Sequence, residues 1–179
     1  LYRAYAYFFE MGLCSDEIKK NIKNLEIEVS NNELIVIFDG SDLTNKLRSE
    51  KIAKSASELS ALKDTRSNLL GIQRALNNEL GLIADGRDMG TVVFPNAGNK
   101  FFLTASAEIR AKRRFLELQN RGQEVNMRDL IGDIKQRDLA DQSRELSPLL
   151  PADDATVIDT SEMSLEEVFS FTKKLIKGN

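Results

Sequence analysis

Residues 81–95 read Gly-Leu-Ile-Ala-Asp-Gly-Arg-Asp-Met-Gly-Thr-Val-Val-Phe-Pro. Leu82, Ile83 and Ala84 followed by a break at Asp85-Gly86 form the pattern of a short buried strand running into a polar loop. Two similar runs follow, Phe101-Phe102-Leu103 and Thr156-Val157-Ile158, with helical periodicity between them. Buried strands alternating with helices predict an α/β chain whose parallel sheet carries helices on both faces. Ligands of such sheets bind beyond the carboxyl ends of the strands, where Asp85–Gly90 would lie. Gly86 and Gly90 are read as letting the backbone turn tightly, with Asp85 and Arg87 directed toward a ligand. An aspartate there can hold the water shell of Mg²⁺, and an arginine can clamp a phosphate with two parallel bonds. The plain alternative is a polar turn with one surface ion pair.

Upstream of this segment the grammar differs. Tyr2–Phe9 is aromatic and helix-compatible and ends at Gly12; Ser15 and Asp16 can cap a short helix reaching Lys23. Leu25-Glu26-Ile27-Glu28-Val29 and Leu34-Ile35-Val36-Ile37-Phe38, separated by Asn31-Asn32 and closed by Asp39-Gly40, predict a β-hairpin. Residues 50–80 carry a helical pattern broken near Leu62 and Lys63. The hairpin and its helices read as a lobe inserted into the α/β core. Downstream, helices are expected over 106–120 and 126–144. A last helix opens on the capping box Ser164-x-x-Glu167, with Leu165, Val168, Phe169, Thr172, Leu175 and Ile176 on one face.

Composition narrows the chemistry. The 179 residues contain no histidine and a single cysteine, Cys14. That removes Ser-His-Asp and Cys-His schemes, histidine metal sites, cysteine zinc clusters and any internal disulfide. Catalysis must therefore run on Arg, Lys, Asp, Glu and backbone groups. A net charge of −3 argues against a surface that coats nucleic acid. No apolar run reaches the roughly 20 residues of a membrane span, and no signal peptide is visible; the single cysteine fits a reducing cytoplasm, and a monomer is expected. The chain opens at Leu1 within a helical pattern, which suggests a fragment or a processed form.

Arginine placement is the second signal. Seven of the twelve arginines fall between Arg110 and Arg144, interleaved with carboxylates for which helical ion pairs are the plain reading. Leu130, Ile134, Arg137, Asp141 and Arg144 share one helical stripe, apolar in its first half and charged in its second. A bare core would leave that charged half expensively desolvated, whereas a cleft holding an anionic ligand resolves it. Arg110, Arg113 and Arg114 cluster on another helix, and Lys100, which lacks the Ser or Thr of a Walker lysine, reads as surface.

Together these segments resemble the bacterial cytidylate kinases. The matching stretches are Leu1-Tyr2-Arg3, Ala56-Ser57, Arg66, residues 81–95, Arg110-x-x-Arg113-Arg114, and Ile134-Lys-x-Arg137-Asp138-x-x-Asp141-x-x-Arg144 with the terminal strand and helix. The similarity covers nearly the whole chain. It implies a P-loop nucleoside-monophosphate kinase fold that transfers the γ-phosphoryl group of ATP, with Mg²⁺, to CMP or dCMP. Under the resemblance, 1–24, 81–120 and 148–179 belong to the core, 25–80 to the monophosphate-binding lobe and 121–147 to a lid. Arg3 and Arg87 would hold the CMP phosphate. Ser57, Arg66 and Asp88 would read the cytosine edge with Arg144 nearby, and Arg137 and Asp141 would face the pentose. Arg110, Arg113 and Arg114 would serve ATP and the transferring phosphate, with Arg114, Arg137 and Asp85 acting in catalysis. Asp85 would approach the metal through water. The family's first strand, Walker A loop and following helix would lie before Leu1, so these residues alone are expected to be catalytically incompetent. Rival readings are a kinase for UMP or another monophosphate, and a non-catalytic nucleotide-binding domain. A dinucleotide oxidoreductase is disfavoured because no G-x-G-x-x-G follows a strand.

Overall fold

The computed structural model describes residues 1–30, 33–79, 81–120 and 122–177. The chain divides into two compact units, Leu1–Ile83 and Ala84–Asn179.

The first unit begins with helix α1, Tyr2–Glu10, whose Ala4, Tyr5 and Phe8 are buried. It ends as Gly12 enters the left-handed region at φ 83°. The Gly12 amide then donates to the Phe9 carbonyl at 2.9 Å and the Leu13 amide to the Phe8 carbonyl at 3.3 Å. That pair of bonds satisfies carbonyls the helix end leaves open. Helix α2, Ser15–Lys23, is capped by Cys14 rather than by Ser15 or Asp16: the Glu17 carboxylate takes the Cys14 amide at 2.9 Å. Ser15 is instead turned toward Tyr5, its hydroxyl 3.2 Å from the phenol.

The expected hairpin forms from β1, Glu26–Ser30, and β2, Glu33–Phe38, antiparallel with Ser30 opposite Glu33. Its tip, Asn31-Asn32, lies outside the described residues. Asp39-Gly40 makes a second tight turn, both residues at positive φ (49° and 67°), into a short β3, Ser41–Asp42. Helices α3, Thr44–Leu47, α4, Glu50–Leu59, and α5, Lys63–Ala75, follow, with the expected break at residues 60–62. Phe8, 1% exposed, packs edge-on against Phe38 with centroids 4.9 Å apart, joining α1 to the hairpin.

The second unit holds two strands, β4, Phe101–Thr104, and β5, Thr156–Asp159, paired in parallel with Phe101 opposite Thr156. Helices α6, Ala107–Asn120, and α7, Met127–Gln142, lie between them in sequence, and α8, Leu165–Lys177, follows β5. Alternating strands and helices with a parallel pair bear out the α/β class. The expected strand at Leu82-Ile83-Ala84 does not form. Among the described residues only β4 and β5 pair in this sheet, and Ile83 is 99% exposed. Apolar character favours a strand but cannot make one without a ladder partner.

Two further expectations need correction. Leu165 and Phe169 of α8 are exposed, so only Val168, Thr172 and Leu175 of the proposed apolar face are half-buried. Helix α7 stops at Gln142, so Arg144 lies in the turn beyond it rather than on the helix. No helix among the described residues is long and apolar enough to cross a membrane.

Candidate functional site

The loop that opens the second unit carries an unusual backbone. The amides of Val92 and Val93 both donate to the Asp88 carbonyl (2.9 and 3.2 Å), and the Phe94 amide donates to Met89 at 2.7 Å. Residues Met89–Val93 thus form a single wide π-turn, a geometry frequent at functional sites. The chain bends at Gly86 and turns through Gly90, as expected, although neither residue is at positive φ. Flexible side chains approach both closely. A Cβ on Gly86 would stand 2.9 Å from Met89 Cε, and one on Gly90 3.2 Å from Lys100 Cδ.

The turn places Arg87 and Asp88 at its start, and Asp88 is only 4% exposed. Arg87 Nε donates to Oδ2 of Asp141, which is completely buried near the end of α7. Arg137, one helical turn before Asp141, comes to 3.9 Å of the same oxygen. Arg144 Nη2 pairs with Oδ1, which has charge contact there but no aligned hydrogen bond. The charged half of the α7 stripe therefore does converge, together with an arginine 54 residues away in sequence.

Three guanidiniums stand around one carboxylate. A buried carboxylate alone would be costly; the arginines offset that cost and are themselves held in place by it. Arg144 is nearly buried, whereas Arg87 and Arg137 keep 39% and 48% of their side chains open to solvent. These two present planar donors suited to phosphate oxygens.

The arginines of α6 have protein partners instead. Arg110 grips Asp138 of α7 with both arms at 2.8 and 2.5 Å, and its Nε donates to Ala105 O at 3.0 Å. The hydrogen bonds to Asp138 hold the Arg110 guanidinium above its usual range. Beside it Lys135 pairs with Glu108 at 2.7 Å, and the hydrogen bond from Lys135 holds Glu108 below the usual carboxylate range. Arg113 donates to the carbonyls of Thr160 (2.5 Å) and Met163 (3.3 Å), just past β5. Arg114 pairs with Glu117 one turn along α6, at 2.7 Å. Asp85 is exposed, and among the described residues no three metal-binding side chains gather into a cage.

In the first unit, Arg66 of α5 donates to the Ser60 carbonyl at 3.0 Å, and its guanidinium stands 5.9 Å from the centre of the Tyr2 ring. The Ser60 hydroxyl donates to the Ser57 carbonyl at 2.7 Å, so Ser57, Ser60 and Arg66 form one local group. Arg3 is exposed and donates to Leu47 O at 2.9 Å.

Sequence reasoning missed Tyr2, Asp138, Thr160 and Lys100. Tyr2 and Asp138 stand inside quoted motifs without a role, Lys100 reads as surface, and no local pattern marks Thr160. Lys100 is not a surface residue: its side chain is 7% exposed, and its ammonium is held by Asp154 and the Pro95 carbonyl.

The family model described as cytidylate kinase matches residues 1–177. A cytidylate kinase of Caldicellulosiruptor saccharolyticus is 45% identical over 159 residues, covering 86% of this chain and 70% of that protein. One from Haemophilus ducreyi is 46% identical over 157 residues, 87% of this chain and 70% of its own length. One from Pectobacterium atrosepticum is 50% identical over 138 residues, 77% of this chain and 61% of its own length. The aligned chain thus spans between 61% and 70% of these relatives.

Proposed function

The chain belongs to the cytidylate kinase family, and from that membership we propose that its residues serve transfer of the ATP γ-phosphoryl group to CMP or dCMP. An oxygen of the acceptor's phosphate attacks the γ-phosphorus, the bond to the β–γ bridging oxygen breaks, and ADP leaves with that oxygen. Such transfer has little covalent chemistry for the protein to perform, so catalysis is positioning and charge stabilisation.

The observation that carries the reading is the Asp141 cluster, which gathers Arg87, Arg137 and Arg144 around one buried carboxylate while Arg87 and Arg137 stay partly exposed. We assign Arg87 and Arg3 to the acceptor phosphate, Arg137 to the pentose and transferring group, and Arg144 and Asp141 to the support beneath them. Ser57, Arg66 and Asp88 read the cytosine edge. Arg110, Arg113 and Arg114 serve ATP, which for Arg110 requires Asp138 to release it. A single exposed Asp85 does not make a metal cage, so Mg²⁺ belongs with the nucleotide phosphates, with Asp85 reaching it through water. Residues 25–80 act as the acceptor lobe and 121–147 as the lid of a monomeric cytoplasmic enzyme. No G-x-x-x-x-G-K-[ST] pattern occurs in the 179 residues; a segment of that kind would cradle the ATP β-phosphate.

Two measurements test the proposal. Calorimetry on the chain should show CMP bound in preference to UMP. A coupled ADP-release assay should show no turnover by residues 1–179 alone, and CMP-dependent turnover once a Walker A segment is supplied in the same polypeptide. Equal binding of CMP and UMP, or turnover by the 179 residues unaided, would overturn the corresponding part.

A further inference from the structure

We propose that Lys100 is a positioning residue for the Arg87–Asp88 loop: its ammonium, clamped between Asp154 and the Pro95 carbonyl, fixes the π-turn and so the direction in which Arg87 and Asp88 meet the acceptor nucleotide. The inference rests on the roles given to those two residues above.

A lysine at the threshold of a strand ordinarily sends its ammonium into water along a flexible stem. Lys100, immediately before β4, does not; its side chain is 7% exposed. An ammonium has three donors, and here three acceptor atoms meet it: Asp154 Oδ1 at 2.8 Å, Asp154 Oδ2 at 2.7 Å and Pro95 O at 2.5 Å. Burying that charge would be costly without such partners. Its main chain is anchored too, the Lys100 carbonyl accepting from the Thr156 amide at 2.9 Å where β5 begins.

The stem of the same side chain lies against Gly90. A Cβ built there would meet Lys100 Cδ at 3.2 Å and Cγ at 3.5 Å, with Ala152 Cβ at 3.7 Å behind it. One side chain therefore touches the turn at Gly90 with its methylenes and the chain just past it, at Pro95, with its head. Between those points the bonds of Val92, Val93 and Phe94 back to Asp88 and Met89 close the turn. A lone π-turn is a rare conformation, and Lys100 supplies an external hold on it from the sheet. The hold passes through Gly90 and the Asp88 carbonyl to Arg87, which then reaches Asp141. Asp154 carries the other half of the clamp; the hydrogen bonds from Lys100 keep its carboxyl below the usual aspartate range.

The test compares Lys100→Met, which keeps the stem and removes the ammonium, with Asp154→Asn. Asp154 is 65% exposed, so its variant should fold even if the first does not. Amide hydrogen exchange at Val92, Val93 and Phe94 should quicken by roughly tenfold in Lys100→Met while β4 and β5 amides keep their protection. Calorimetry well below the Tm should show CMP bound roughly tenfold more weakly, as expected of a displaced clamp. Asp154→Asn should move both quantities the same way by less. A tie that merely stabilises the fold would lower the Tm, leave the three amides no faster than their neighbours and leave CMP binding unchanged; that result overturns the proposal. Absence of CMP binding in the unmutated chain would instead sink the proposed function, and the exchange data would still decide whether Lys100 holds the turn.

Discussion

Asp141 has no exposed surface and three arginines around it, so its value lies in organising charge. Asp141→Asn keeps the shape and removes the charge, leaving three guanidiniums to repel one another. It should cost roughly 3 kcal/mol, the lower end for breaking a buried pair because Arg87 and Arg137 can relax toward solvent. Thermal unfolding with and without added phosphate checks this. Phosphate should restore part of the lost Tm by binding the freed arginines, and an equal loss in both buffers would contradict the anion-site reading. Asp88 tests specificity rather than stability. Cytosine presents an amino donor where uracil presents an oxo acceptor, and a carboxylate can only accept. Asp88→Asn should therefore narrow the preference for CMP over UMP, mainly by losing CMP. Calorimetric affinities for both nucleotides decide it; an unchanged ratio with both weakened would make Asp88 a brace for Arg87.

At the scale of single elements, helix ends govern where this chain turns. Helix α1 stops because Gly12 can sit at φ 83° while its amide and that of Leu13 take the last carbonyls. Nothing stands within 4 Å of a Cβ added there, so Gly12→Ala isolates backbone strain from crowding. It should cost about 1 kcal/mol, read as a shift of the denaturation midpoint with unchanged slope. A loss well above that would mean that α1 and α2 had reoriented. The last helix opens as expected: the Ser164 amide donates to Glu167 at 2.8 Å and the Glu167 amide to the Ser164 hydroxyl at 3.2 Å. This reciprocal pair depends on four consecutive residues only, so it was readable before any fold was known.

Across the whole molecule, the displaced carboxyls shift in one direction. Glu10, Glu17, Asp42, Glu108, Asp154, Asp159 and Glu167 are all held below their ordinary range, chiefly by hydrogen bonds to lysine, hydroxyl or backbone donors. A carboxyl whose folded pKa lies below its unfolded value stabilises the fold fully above the unfolded value. That contribution is lost as pH falls through the folded one. With unfolded values near about 4, stability should be level from about pH 7 to about pH 5 and fall steeply below about pH 4. Each group is exposed, so the individual effects are small and the sum is what a thermal scan reads. A stability maximum at acidic pH would contradict it.

Sequence by itself determined the local pieces and the family. The hairpin, the break at residues 60–62, the capping box and the Gly12 stop all follow from signals a few residues long, and the order of the longer motifs pointed to cytidylate kinase. Only the tertiary structure decided which partners the charged side chains meet. Arg87 and Asp141 are 54 residues apart, Arg110 and Asp138 are 28, Arg113 and Thr160 are 47, and Lys100 and Asp154 are 54. It also decided that Leu82-Ile83-Ala84, apolar enough for a strand, has no ladder beside it among the described residues. The reason is the same in each case. A guanidinium or ammonium accepts a phosphate, a carboxylate or a carbonyl alike, and a backbone amide pairs with whichever carbonyl is near. Residue type sets what a group can bind, and distance in space selects which partner it takes.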